Sequence, residues 1–256
     1  MIRTYVVTGA ASGIGKAAAS ILSNVGHKVI GIDLRDVDVC ADLASEKGRA
    51  KAVEMVEQIS GGIIDGLLCS AGLASDTLAT AKVNYFGTVA VLNGLRPLLA
   101  RSPAPRAVVV ASMAVLFPHD EELLHAFEAG DEERALRRAE NLTVTRGAIY
   151  CTSKKAVARW ARRQAPTPEW AGSGIALNIA APGVVMTPMM ADALKTEEDR
   201  AAVLKRVPMP LNGIASAKDV AAVLVWLSDV ENTHVTGQVI FVDGGADAVI
   251  RGVASV

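Results

Sequence analysis

Short apolar runs rich in β-branched residues alternate along this chain with stretches whose apolar positions recur every three to four residues. Residues 5–7, 28–32, 66–69, 108–111, 175–179 and 239–242 are of the first kind and predict buried strands. Residues 16–24, 51–59, 89–99, 153–163 and 217–227 are of the second kind and predict helices. Strands separated by helices imply a parallel sheet with right-handed crossovers, since a parallel pair needs a long return connection. The expected fold is α/β, a doubly wound parallel sheet. With no internal repeat or low-complexity linker, residues 1–256 read as one domain.

The stretch 117–144 interrupts the alternation. Leu123, Leu124 and Phe127 share one helical face before Gly130. Residues 131–141 then begin with Asp131, Glu132 and Glu133 and end with Arg134, Arg137 and Arg138, which suits a helix dipole. A helix–glycine–helix insertion is expected here.

Composition narrows the classes. Apolar residues make up 51% of the chain, enough for the core of a two-faced sheet, and the net charge of −1 offers no field for nucleic acid or an acidic membrane. Arg159, Arg162 and Arg163 read as a solvated helix face. Cys40, Cys69 and Cys151 are too dispersed for a zinc cluster and odd in number, so buried, reduced thiols and a cytoplasmic setting are expected. His27, His119, His125 and His234 lack metal-ligand spacing and read as surface or loop residues. The N-terminus shows no basic region, apolar run and cleavage site, and no apolar run is long enough for a bilayer.

Two motifs carry chemistry. Thr8-Gly9-Ala10-Ala11-Ser12-Gly13-Ile14-Gly15 follows a predicted strand and opens a helix. That context makes the glycines a dinucleotide fingerprint: Gly9 for the turn, Gly13 for backbone approach to a pyrophosphate, Gly15 for close helix packing. The second strand ends at Asp33, where a carboxylate accepts from the ribose hydroxyls of NAD and repels a 2′-phosphate. Arg35 nearby favours NADP, but the acid at the strand tip decides for NAD(H). The sheet is then Rossmann-type. The second motif is Tyr150-Cys151-Thr152-Ser153-Lys154, which puts a phenol and an ammonium on one helical face. A tyrosine whose pKa is ordinarily near 10 acts at neutral pH only if its phenolate is stabilised, and the lysine is expected to do this.

With both motifs present, the chain resembles the short-chain dehydrogenase/reductase family along nearly its whole length. The resemblance implies an oxidoreductase that interconverts an alcohol and a ketone without a metal, using Asn84, Ser112, Tyr150 and Lys154 as catalytic residues. It places Ser12 and Ile14 with the glycines at the cofactor, Asp42 and Leu43 at the adenine, and Ala71 and Gly72 beside the cofactor backbone. Pro182 and Gly183, with Val185 and Thr187, fall at the nicotinamide end. The family's Asn-Asn-Ala-Gly reads Cys69-Ser70-Ala71-Gly72 here, so the sheet-stabilising bond of the asparagine side chain is expected to be missing. The segments Gly31 to Asp36, Ala41 to Leu43, Asn84 to Gly87 and Asp243 to Ala248, with the long spacing from Ser112 to Tyr150, resemble the bacterial 3α-hydroxysteroid dehydrogenase/carbonyl reductase subgroup. Substrates are then small apolar alcohols or ketones, including steroids; aryl, terpenoid or other cyclic alcohols are the alternative. A non-catalytic dinucleotide-binding regulator is a third reading, opposed by the four filled catalytic positions. Met186, Met189, Met190 and Leu194 are either an adaptable lid or core. Family members commonly form tetramers through the helix after Asn84 and the helix carrying Tyr150. The insertion is expected to cover that face and leave a homodimer, or else to cap the substrate cleft.

Overall fold

In a computed structural model, which describes residues 1–253, seven parallel strands form one sheet in the order β3-β2-β1-β4-β5-β6-β9. They are β1 (Thr4–Thr8), β2 (Lys28–Asp33), β3 (Val39–Cys40), β4 (Gly66–Cys69), β5 (Arg106–Val110), β6 (Ala176–Pro182) and β9 (Val239–Val242). β5 is buried at every position because helices cover both faces of the sheet, so its alternate side chains all meet apolar neighbours. A separate pair, β7 (Val185–Met186) and β8 (Ala215–Ser216), stands beyond the end of β6.

One face is covered by α1 (Gly13–Asn24) and α9 (Ala217–Leu227), which contribute Ala18, Leu22, Ala221, Leu224 and Leu227 to a core with Val7, Leu68 and Val108. The other face carries α2 (Glu46–Ser60), α4 (Thr88–Leu99) and α7 (Ala148–Gln164) over the larger core. α3 (Leu78–Ala81) runs through a π-helical turn (Lys82–Gly87) into α4. α8 (Glu197–Arg206) and α10 (Ala246–Arg251) complete the chain. The order reverses between β1 and β4, so the connections that leave their carboxyl ends run to opposite faces of the sheet and open a crevice, the usual ligand position in such sheets.

The insertion folds as α5 (Glu121–Glu128) and α6 (Glu132–Glu140), joined through Gly130 in a left-handed conformation. Asp120 and Asp131 cap them, accepting from the N–H of Leu123 and Arg134. Leu123, Leu124 and Phe127 are fully buried; the Phe127 ring lies 4.8 Å from that of Tyr85 and 5.5 Å from that of Phe86. Arg49 reaches from α2 to grip Glu132 with two bonds of 2.7 and 2.9 Å. Arg159 and Arg163 are not a merely solvated face: both pair with Glu128, tying α5 to α7. Cys69 and Cys151 are buried as expected, but Cys40 is exposed because the two-residue β3 is an edge strand.

Candidate active site

The crevice floor is the glycine loop. Gly9 and Gly13 have φ of +72° and +53°, a region that disfavours side chains. A Cβ on Gly9 would meet the Ala71 N at 2.9 Å, and one on Gly15 would overlap the Gly9 carbonyl. The loop is thus held against both α1 and the β4 end, and the first N–H groups of α1 face the crevice with the positive end of the helix. Ser12 precedes the helix in extended conformation, and its side chain makes no cap bond. Thr8 Oγ1 accepts from the N–H of both Ser70 and Ala71 at 3.0 Å. The loss of an asparagine at Ser70 therefore leaves the β1–β4 contact bonded. Asp33 closes the other side, accepting from Ala11 N at 3.0 Å and Leu34 N at 2.7 Å. Asp42 accepts from Ala44 N at 2.9 Å while Leu43 is buried against Gly87. An acceptor carboxylate at a strand tip, a glycine loop in which Gly9 and Gly15 admit no Cβ, and the N–H donors of a helix start are what a dinucleotide needs, so these residues fit NAD.

A cavity of about 490 Å³ opens from this crevice. Its walls include Ile14, Gly72, Ser112, Tyr150, Lys154, Pro182, Gly183, Val185 and Thr187, so nine of the residues chosen from sequence converge on it. Gly9, Ser12, Gly13, Gly15, Asp33, Asp42, Leu43 and Ala71 are not among the residues that wall it. Asn84 lies behind the wall in the π turn, buried. Its Oδ1 accepts from Leu73 N at 2.8 Å and its Nδ2 donates to Leu73 O and to Ser153 Oγ. A π turn is a frequent device at functional sites because it re-aims one side chain within a helix.

Lys154 is buried; its Nζ donates to Val110 O at 3.0 Å and lies 5.9 Å from the Tyr150 ring centre. Loss of water pushes its ammonium down to about 8. Ser112, at the end of β5, accepts from Ala114 N at 3.1 Å and hydrogen-bonds Tyr150. The Tyr150 phenol is raised, contrary to the expectation that lysine would lower it. Burial is the largest influence, and the Ser112 bond pulls only partly the other way. On the lid side, Met189 and Met190 border the cavity, whereas Met186 is exposed away from it and Leu194 is packed in core.

Three contributors were missed from sequence. Asp76 Oδ2 accepts from Gly147 N at 2.5 Å, and its Oδ1 from Ile149 N at 3.1 Å and Tyr150 N at 3.5 Å, so it caps the helix that carries Tyr150. Ser153 donates to Tyr150 O at 2.8 Å while accepting from Asn84. Asp243 accepts from Gly245 and Asp247 N–H and presses its Cα against Gly183. Asp76 acts across a long sequence separation that no local motif marks; Asp243 bonds locally and was visible only as an unassigned member of the Asp243 to Ala248 segment, as Ser153 was inside the Tyr-Lys motif.

Known proteins are similar to this chain along nearly its whole length. A family model described as enoyl-(acyl carrier protein) reductase matches residues 138–247. The 3-alpha-hydroxysteroid dehydrogenase/carbonyl reductase of Comamonas testosteroni is 35% identical, over 96% of this chain and 97% of its own length. The coniferyl-alcohol dehydrogenase of a Pseudomonas species is 31% identical over 95% and 96%. The crystal structure of the 3-alpha-hydroxysteroid dehydrogenase from Pseudomonas sp. B-0831, complexed with NADH, superposes with a TM-score of 0.90 at 39% identity, covering 98% of this chain and 99% of that one. The chain belongs to the short-chain dehydrogenase/reductase family. No helix among the described residues is long and apolar enough to cross a membrane.

Proposed function

We propose that this chain is an NAD(H)-dependent enzyme that oxidises a secondary alcohol to a ketone and catalyses the reverse reduction, with hydroxysteroids and related carbonyl compounds as its substrates. One observation carries the reading: Ser112, Tyr150 and Lys154 meet on the wall of a mainly apolar cavity that opens from a dinucleotide crevice. Ser112 and Tyr150 hold the substrate oxygen between two hydroxyls. Tyr150 removes the hydroxyl proton during oxidation and returns it during reduction. Lys154 supports the phenolate with its charge and binds the ribose next to the nicotinamide. Asn84 braces this helix through Ser153 and belongs to the proton path from Lys154 to solvent. When bound, NAD supplies the acceptor for the hydride that leaves the carbinol carbon. The glycine loop, with Ser12 and Ile14, holds the pyrophosphate, Asp33 the ribose, and Asp42 with Leu43 the adenine. Ala71, Gly72, Pro182, Gly183, Val185 and Thr187 flank the nicotinamide.

The Comamonas relative and the NADH-bound Pseudomonas structure support a steroid substrate. Similarity to coniferyl-alcohol dehydrogenase favours a second reading, an aryl alcohol dehydrogenase on the same machinery. NADH formation should be measured with 3α-hydroxysteroids, cyclic alcohols and benzylic alcohols, and repeated with NADP. The expected result is the highest kcat/KM for 3α-hydroxysteroids with NAD. Turnover confined to benzylic alcohols selects the second reading, and turnover of none rejects both. A homodimer in the cytoplasm completes the proposal, supported for assembly by the apolar side chains exposed on α10.

A further inference from the structure

The cavity beside Tyr150 adjoins a second, outer one of about 430 Å³, and Phe117, Arg146, Gly147, Cys151 and Arg206 line both. The inner cavity is walled by Met113, Ala114, Val184, Met189 and Val207, which suit an apolar body. The junction is different in character. Arg206, at the end of α8, lies over the Phe117 ring with 5.5 Å from guanidinium carbon to ring centre. Arg146 immediately precedes Gly147 at the head of α7. Neither has a carboxylate within ion-pair distance among the described residues.

The acids in these walls are already committed. Asp76 accepts from the backbone of α7, and Asp120 accepts two bonds from Arg138 and one from Leu123 N. Lys154 is at the inner end, engaged with the Val110 carbonyl. Two cations without acidic partners therefore stand where an apolar chamber opens to water. Guanidinium forks match carboxylate oxygens in geometry and bond them more strongly than neutral groups do. The committed carboxylates in the same walls disfavour a doubly charged phosphate. On the reading of this cavity as the substrate site, we infer that Arg146 and Arg206 select substrates whose apolar body ends in a carboxylate, held at the junction while the reacting oxygen lies at Tyr150.

The test compares matched acids and esters on two scaffolds: a 3α-hydroxysteroid with a side-chain carboxylate and its methyl ester, and a benzylic alcohol with a ring carboxylate and its methyl ester. On the scaffold that is oxidised, the acid is expected to exceed its ester in kcat/KM by at least tenfold. The Arg146→Gln/Arg206→Gln double variant should bring that ratio to within about twofold. Thermal shift with NADH present provides a readout that needs no turnover: the acid should raise Tm more than the ester, and the double variant should lose the difference. Equal acid and ester values in both assays, or a preference that survives the double substitution, overturn the inference. Absence of turnover on every scaffold, with the Tm difference retained, would instead reject the proposed reaction and leave carboxylate recognition standing.

Discussion

Tyr150 and Lys154, whose ammonium lies 5.9 Å from the Tyr150 ring centre, are both shifted by burial. Burial raises the phenol, and the same loss of water lowers the ammonium to about 8. The hydroxyl, rather than the ring, carries the chemistry. Tyr150→Phe should retain the fold and NADH binding, followed by fluorescence titration, while turnover falls by ~10²–10⁴-fold, the usual loss when general acid–base help is removed. Turnover within a few-fold of the parent would reject the assignment. Lys154 yields a stability prediction of opposite sense. Its drop from the ordinary 10.5 to about 8 corresponds to about 3 kcal/mol set against the folded state. That penalty is present in full below pH 8, where both states are protonated. It fades between 8 and 10.5, where the unfolded chain alone holds the proton, so stability from this group rises with pH. Lys154→Met frees the Val110 carbonyl of its donor, a loss of about 1 kcal/mol. The variant should be inactive yet more stable at pH 7 by about 2 kcal/mol in urea melts, with the gain gone near pH 10. A variant less stable at pH 7 would show that the buried ammonium is no burden.

Elements were legible from the sequence where their cause is local and obscure where it is remote. The runs at β1, β2, β4 and β9 are short and mostly apolar, with β-branched, aromatic or leucine side chains, and that pattern identifies them. β3 has two residues and exists because Ile32 and Asp33 pair with Val39 and Cys40, which no periodicity announces. α8 has a Thr196–Asp199 capping box, a readable signal, but its polar Glu-Glu-Asp-Arg start hides it from a search for apolar faces. The catalytic motifs were legible because glycine and YxxxK spacings are short-range demands of chemistry. The helix that carries Tyr150 starts at Ala148, ahead of the 153–163 stretch that periodicity marks, and its cap comes from Asp76, 71 positions away from Gly147. Asp76→Ala removes that carboxylate from three N–H groups at a helix start. The expected loss is about 1–2 kcal/mol by denaturant unfolding, as for other capping residues. Since Tyr150 N is one of the three, kcat should fall more than NADH affinity, and Asp76→Asn should restore part of both. Unchanged stability in the alanine variant would remove Asp76 from the helix cap.

At the scale of the molecule, the insertion determines which surfaces remain for assembly. α5 lies along α7, its Phe127 packed on Tyr85 and Phe86 and its Glu128 paired with Arg159 and Arg163, so part of the face that family resemblance assigns to tetramers is occupied by the chain itself. The insertion also borders the cavity at its start, through Phe117, and Arg146, two residues past its end, lines the cavity as well. Apolar groups that still need cover lie elsewhere: Val249 and Ile250 of α10 are 55% and 39% exposed, beside a β9 that is only half-buried at each position. A second copy placed on α10 and β9 covers these groups and pairs like with like about a two-fold axis. The expected species in light scattering is a dimer of about 53 kDa, twice the 26.6 kDa chain. Val249→Glu/Ile250→Glu places two carboxylates in that contact, on a surface outside the cavity, and should shift the mass towards the monomer as concentration falls. A stable tetramer near 106 kDa, four times the chain mass, would show that α5 leaves the tetramer face usable. A dimer indifferent to the double substitution would move the interface away from α10.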